Sequence, residues 1–355
     1  MPRSARRHPI QCIIPPYMAE HMARSEDPRV RERAIAALSN AAAVRAVRAF
    51  AQQMPQMMAA PSPAGRRHRL VYDARQKDAL PGRLVRSEGG PATADVAVNE
   101  AYDFSGDTFD FYHAVFARNS LDDAGMTLVS SVHVGEPDGG GRFQPMDNAF
   151  WDGAQMAYGD GDGEIFGRFT QSLDVVGHEL THGVQSFTSN LTYRGQSGAL
   201  NEHFSDVFGI LVRQWRRGEA AESASWLIGA EVLVPAATRR AIRDMEHPGT
   251  AYRDDPALGT DPQPDHMDRL SRTHADSGGV HVNSGIPNRA FAGFAKTIGG
   301  NAWETAGAVW YESLLQLSRN SQFADLARIT VQVAGDRFGA ATTKALKAAW
   351  KKVGL

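Results

Sequence analysis

Residues 175–185 read VVGHELTHGVQ, with His178 and His182 four apart and Glu179 directly after the first histidine. On a helix of about 3.6 residues per turn, positions i and i+4 share one face, so the two imidazoles can aim at one point. That point suits a metal ion, although a solvated helix face can carry the same letters by chance. The flanks argue for burial, because Val175, Val176 and Leu180 make the remaining faces apolar. Buried histidines need partners for both ring nitrogens. Zinc supplies one such partner, but two ligands do not close a site.

A third ligand is offered by GALNEHFSDVFG, residues 198–209, which places Glu202 and Asp206 four apart on another expected helix. Glu202 follows His182 by twenty residues, a gap that suits a helix, a turn and a return helix. Phe204, Val207, Phe208 and Ile210 imply burial of this helix, and a lone buried carboxylate is costly. A zinc-bound histidine usually donates its other N–H to an oxygen. Asp206 is placed to be that acceptor, and Asn201 to serve similarly near the other histidine. His203 neighbours Glu202 and so points about 100° away, which reads as a structural role rather than a ligand. With a single cysteine, Cys12, the chain has no intrachain disulfide and no thiolate-rich site, so a metal must rely on His, Asp and Glu.

The elements that must position these residues can be read from texture. The 355 residues are 42 % hydrophobic and 22 % charged, ordinary for a soluble globular protein with room for two domains. No run of about 18 apolar residues exists to span a membrane. Residues 28–53 are alanine- and arginine-rich with apolar positions at helical spacing, giving one or two amphipathic helices. PQMMAAPSPAG after them has the composition of an exposed linker, with a boundary near residue 60. Residues 68–135 hold strand-like segments of a mixed or antiparallel sheet with a helix near 94–118, and beyond 172 the pattern is helical. No internal repeat and no nucleotide-binding glycine loop occurs. Residues 1–70 hold twelve Lys and Arg against four Asp and Glu, so the other 285 hold 26 against 36; a basic leader can dock on an acidic body, or can be a solvated helix.

HELTH followed by GALNEHFSD resembles the thermolysin family of zinc endopeptidases that use glutamate as third ligand. Further similar stretches are DNAFWDGAQMAYGDGDG at 147–163, LTYRGQSGAL with Tyr193, AIRDM with Arg243, and DSGGVHVNSGIPNRAF at 276–291, together covering roughly 68–355. CIIPPYM, residues 12–18, resembles the short prosegment of the protealysin-like branch. The resemblance implies an α+β, two-domain fold: residues 1–60 as prosegment and cleavable linker, 61–172 as a β-rich N-terminal domain, and 173–355 as a mainly α-helical domain, with zinc in the cleft between the last two.

It further implies one zinc held by His178, His182 and Glu202, with Glu179 as general base toward a water. Tyr193 and His281 would stabilise the oxyanion, with Asp276 orienting His281. Arg243 would bind a substrate carbonyl, and Asn148 with the Ala149 backbone would receive an extended peptide as an added strand. Phe166, Phe169, Val175, Ile228, Val232 and Ile242 would line an apolar pocket after the scissile bond, implying a preference for a bulky hydrophobic residue there. Peptide or protein substrates and the chain's own prosegment are the expected partners, with no nucleic acid, and a monomer is expected.

Calcium ligands of the family are mostly replaced. Asp174 matches one, but Arg213, Ser225, Leu227 and Ala230 stand where a double site has acids, and Arg240 where another has aspartate. Calcium takes about six to eight oxygen ligands, and an arginine in the shell repels it. The double site is therefore expected to be absent, with Arg213 pairing with Asp174. Cys12 is read as a small buried hydrophobe in preference to a zinc ligand. His113 and His133 are read as ordinary, and the role of YGDGDG is open. A non-catalytic zinc binder is disfavoured by the set of Glu179, Tyr193 and His281, and an aminopeptidase by the lack of a motif for a free amino terminus. The family is largely secreted, whereas CIIPPYM is cut by prolines and makes no signal-peptide core, so export and a cytoplasmic location both stand as expectations.

Overall fold

The computed structural model describes residues 11–51, 65–138 and 140–355. The expected linker and the boundary near residue 60 fall outside the described residues. The chain runs through β1 (Gln11–Cys12), α1 (Pro16–Met22), α2 (Pro28–Ala51), β2 (Arg69–Lys77), β3 (Arg83–Ser87), α3 (Val96–Phe116), β4 (Leu128–Pro137), β5 (Phe143–Pro145), β6 (Ala149–Trp151) and β7 (Met156–Gly159). It continues through α4 (Leu173–Ser186), α5 (Gly195–Arg217), β8 (Leu227–Ile228), β9 (Arg243–Asp244), α6 (Asp276–Asn283), α7 (Gly285–Ile298), α8 (Thr305–Gln316) and α9 (Phe323–Lys352). The fold is α+β, with a mixed sheet in the first half and helices in the second, as the sequence patterns anticipate.

The main sheet has the order β1-β6-β7-β4-β2-β3, with β5 paired to β4. β4 lies parallel to both β2 and β7, while the outer pairs are antiparallel. β4 has helices packed against it as well as strands on both edges, and LVSSVHVGEP is accordingly buried at most positions. α3 packs its apolar stripe, including Ala97, Ala101, Phe109 and Tyr112, toward the core. Asp95 caps α3 by accepting from the Ala97 and Val98 N–H groups, and Ala117 closes it in a left-handed turn.

His133 is not the ordinary histidine its neighbourhood in sequence suggests. It sits in β4 at φ 53°, where the ladders to β2 and β7 both shift register. Its Nε2 meets Asp95 at 2.8 Å and its Nδ1 meets Asp160 of YGDGDG at 2.9 Å, with Arg168 close to the same two acids. Hydrogen bonding to Asp160 outweighs partial burial, and with Asp95 it holds the imidazole pKa up at about 9. The other acid of that run, Asp162, accepts from the backbone N–H groups of Glu164, Ile165 and Phe166 at 2.7–2.9 Å. YGDGDG thus braces a strand bend and caps its own loop.

α4 is buried from Leu173 to Gln185 and crosses the middle of the molecule. α5 returns antiparallel to it, since His182 meets Asn201 while His178 meets Asp206. Two glycines let the axes approach: a Cβ on Gly177 would lie 3.1 Å from the Gly209 Cα, and one on Gly209 would lie 2.5 Å from the Asp174 carbonyl oxygen. This close crossing brings Glu202 beside the histidines.

Two outcomes are expected from these contacts. Gly209→Ala must push α5 off α4, costing about 1–3 kcal/mol and weakening zinc retention; an unchanged melting temperature with unchanged bound zinc would contradict this. Because the His133 pKa is raised above the usual 6.5, its clamp stabilises the fold fully below that value and is lost as pH rises through about 9. His133→Gln should therefore flatten the stability profile between those limits in urea titrations, and a variant with the parent's slope would refute the clamp.

Candidate metal centre and active site

His178 and His182 project from one face of α4, and Glu202 from the facing side of α5; all three are fully buried. The His178 Nδ1 bonds Asp206 Oδ1 at 2.9 Å, and the His182 Nδ1 bonds Asn201 Oδ1 at 2.7 Å. These oxygens accept, so each Nδ1 carries the proton and each Nε2 presents a lone pair. The two Nε2 atoms nevertheless face each other at 3.1 Å. The Glu202 oxygens stand 3.5 and 3.6 Å from them, and Glu202 Oε2 is buried without a hydrogen-bond partner. Lone pairs and a carboxylate converging in a dry site repel unless a cation lies among them. Ligand atoms at tetrahedral zinc, with bonds of about 2.0–2.2 Å, are roughly 3.3 Å apart, so the donor set fits that ion. Ser205 adds a contact to the His182 Nδ1 at 2.9 Å that the sequence reading did not single out.

Asp206 does more than orient one histidine. Its carboxylate also accepts from Arg243 Nε and Nη2 at 2.8–3.2 Å and from Asn288 Nδ2 at 2.9 Å. Burial works to raise its pKa, but the Arg243 guanidinium and His178 hold it well below the usual carboxylate range. Asn288 lies 82 residues away within the DSGGVHVNSGIPNRAF stretch, and no spacing rule could assign it this contact. Asn288 Oδ1 in turn accepts from His203, whose Nε2 accepts from the Trp310 indole, each at 2.7 Å. His203 is thus a structural residue turned away from the metal ligands, and burial pushes its pKa down to about 4.

Glu179 is fully buried beside the histidines; one oxygen accepts from the Trp151 N–H at 3.1 Å and the other has no hydrogen-bond partner. Burial, then the nearby Glu202, raises its pKa well above the usual carboxylate range. Tyr193 donates to Glu202 and lies 3.2 Å from His281 Nε2. Asp276 grips His281 twice, at Nδ1 (2.6 Å) and at the backbone N–H (2.8 Å). That grip needs a chain reversal through Asp276–Gly279, all at φ between 50° and 90°, where Gly278 and Gly279 are the residues best suited. Burial disfavours the His281 charge, yet Asp276 and Glu202 raise its pKa to about 9.

The extended segment at residues 11–14 lies against β6 and the buried site. β1 pairs antiparallel with β6, Cys12 opposite Phe150. The Ile13 N–H donates to the Ala149 carbonyl at 3.3 Å and the Ile14 N–H to Asn148 Oδ1 at 3.2 Å. The Cys12 carbonyl accepts from His281 Nε2 and the Ile13 carbonyl from Arg243 Nη1, each at 3.0 Å. Ile13 is fully buried in the same apolar cluster as Phe166, Phe169, Val175, Ile228, Val232 and Ile242. The Cys12 side chain packs against the cluster containing Met146 and Phe150 and its Sγ donates to the Ile14 carbonyl at 3.4 Å, while its own carbonyl meets His281.

At the expected calcium position, Arg213 Nη1 bonds Asp174 at 3.0 Å and the Leu227 carbonyl at 3.0 Å, and Nη2 bonds the Ser225 carbonyl at 2.6 Å. Arg240 bonds Asp244 and the Thr250 carbonyl.

A buried two-histidine, one-glutamate centre on paired helices beneath a mixed sheet defines a zinc metalloendopeptidase. Residues 63–186 match the thermolysin metallopeptidase catalytic domain and residues 189–355 its alpha-helical domain, so the chain belongs to the thermolysin family. It is 50 % identical over 295 residues to an extracellular metalloprotease of Pectobacterium carotovorum subsp. carotovorum, covering 82 % of each chain. It is 38 % identical over 298 residues to bacillolysin of Bacillus cereus, covering 81 % of this chain and 49 % of that one. Its structure is similar to the precursor of protealysin from Serratia proteamaculans, with a TM-score of 0.87, 44 % identity, and coverage of 97 % of this chain and 99 % of that one. Among the described residues no helix is long and apolar enough to cross a membrane.

Arg213→Ala would strand the buried Asp174 and should cost about 3–5 kcal/mol in urea unfolding. Arg213→Lys should recover only part of this, since an ammonium cannot bridge the same acceptors; a loss below about 1 kcal/mol for the alanine variant would show the pair to be a neutral replacement.

Proposed function

We propose that the chain is the precursor of a zinc endopeptidase whose leader, residues 1–60 with its linker, blocks a cleft between residues 61–172 and 173–355. The observation that carries this reading is the placement of the Cys12–Ile13 peptide. Its carbonyl oxygen is held by His281, its nitrogen by Ala149, and the next carbonyl by Arg243. A substrate in the same register would put a scissile bond where that peptide lies.

His178, His182 and Glu202 would hold the zinc, which supplies Lewis acidity that polarises the carbonyl and acidifies a water. Glu179 accepts that water's proton at its carboxylate and returns it to the leaving nitrogen. His281, charged and held by Asp276, and the Tyr193 hydroxyl donate to the oxygen as it gains negative charge. Arg243 and Asn148 position the chain on the amine side of the cut, with Asp206 tying Arg243 to the metal ligand His178. The pocket around Ile13 favours a bulky hydrophobic residue just after the cut. With Arg213 satisfying Asp174 and two carbonyls, the double calcium site is absent. Export follows the relative named extracellular, and appearance of the protein in culture medium rather than in cells tests it.

The full chain and a Glu179→Gln variant should bind equal zinc, while the variant loses about 10²–10⁴-fold of its casein digestion and no longer truncates itself. Equal digestion would end the enzymatic reading. Among peptides differing only after the cut, Leu should exceed Ala and Asp, and a preference for Asp would overturn the pocket assignment. After EDTA treatment, zinc alone should restore the melting temperature, and a further large gain from calcium would restore the lost site.

A further inference from the structure

The extended leader fixes a register for any peptide in the cleft. Cys12 lies opposite Phe150, the Ile13 N–H reaches Ala149 and the Ile14 N–H reaches Asn148, so the next residue, Pro15, falls at the level of Asp147. Asp147 is the residue preceding the substrate edge, and its side chain is only 8 % exposed. Its carboxylate is filled by Arg33, which reaches in from α2 rather than from the extended segment: Nε bonds Oδ2 at 3.2 Å and Nη2 bonds Oδ1 at 2.8 Å. The same Nη2 donates to the Pro145 carbonyl at 3.1 Å. The Asp147 carboxylate and the Pro145 carbonyl thus together hold one guanidinium in the precursor. Burial and Asp162 hold the Asp147 pKa up at about 6 even though Arg33 lowers it.

Arg33 belongs to the leader, and on the reading of the preceding subsection the leader leaves. Removing that cation leaves the Asp147 carboxylate without its ion-pair partner beside the Pro145 carbonyl, and a substrate cation can then take the same acceptors. We propose that Asp147 is a specificity-determining residue that takes a cationic side chain, arginine above lysine, at the third position after the scissile bond, and that Arg33 holds this place in the precursor. Arginine is favoured because the acceptors, two carboxylate oxygens and a carbonyl, match a planar fork of donors and not a point charge.

The test uses the zinc-loaded full chain after it has processed itself, with peptides carrying Leu after the cut and Arg, Lys, norleucine or Glu two residues further on. The expected order of kcat/KM is Arg, Lys, norleucine, Glu, with Arg exceeding norleucine by at least about tenfold, the size of a hydrogen bond to a charged group, and mostly through KM. In Asp147→Asn, close in shape to the parent, the ratio of Arg to norleucine should fall toward one. Because the parent alone must show the ordering, a poorly folding variant leaves the proposal exposed to refutation. Efficient hydrolysis with equal values for Arg, norleucine and Glu overturns this proposal alone. No hydrolysis of any peptide overturns the endopeptidase reading and this proposal with it.

Discussion

A buried carboxylate holds this structure's chemistry together. Asp206 lies in α5 with no solvent access, and its oxygens are divided among the imidazole of His178, the guanidinium of Arg243 and the amide of Asn288. An unpaired charge there would be prohibitively costly, so each of these groups is drawn to it. The consequence is geometric coupling: the residue that fixes a metal ligand's orientation also fixes the arginine that grips the leader. Breaking it would disturb both sides of the cleft. Behind it, the chain from Asn288 through His203 to Trp310 extends the same order into the helical core with every polar atom matched by type.

The site is assembled by two helices that touch more closely than ordinary side chains allow. Gly177 and Gly209 sit at their contact, and the antiparallel return of α5 places Glu202 against His178 and His182. Preorganisation of this kind leaves three donors facing one point before any ion arrives, at a repulsive cost that the cation offsets. The leader completes the picture. Its extended segment adds a strand to β6, while Arg29 and Arg33 pair with Glu164 and Asp147 of the body. The basic leader and acidic body suggested by charge counting do dock through specific pairs.

Much of this was legible in the sequence because it is periodic. The four-residue spacing of His178 and His182, the twenty-residue step to Glu202 and the i+4 carboxylate at Asp206 each follow from helix geometry and the needs of a metal. The helix near 94–118 was legible for the same reason, while strand texture left the sheet as mixed or antiparallel and only the structure shows β4 parallel to β2 and β7. The contacts that could not be read are those with no period. Asn288 reaches Asp206 across 82 residues, and Asp276 reaches His281 only because four consecutive residues adopt left-handed backbone. A strand histidine such as His133 carries no spacing signal; its role comes from a register shift that places Asp95 and Asp160 on either side of it. The role of Gly177 likewise depends on its partner Gly209 in α5, which no spacing within α4 announces.

The central claim is that two imidazoles and one carboxylate bind a single zinc with no sulphur in the shell. X-ray absorption at the zinc edge on the metal-loaded full chain tests it directly. One zinc per chain with only nitrogen and oxygen neighbours at about 2.0–2.2 Å, two of them imidazole, is the predicted result. A sulphur neighbour near 2.3 Å, which Cys12 alone could supply as thiolate, or a chain that retains no zinc, would contradict it.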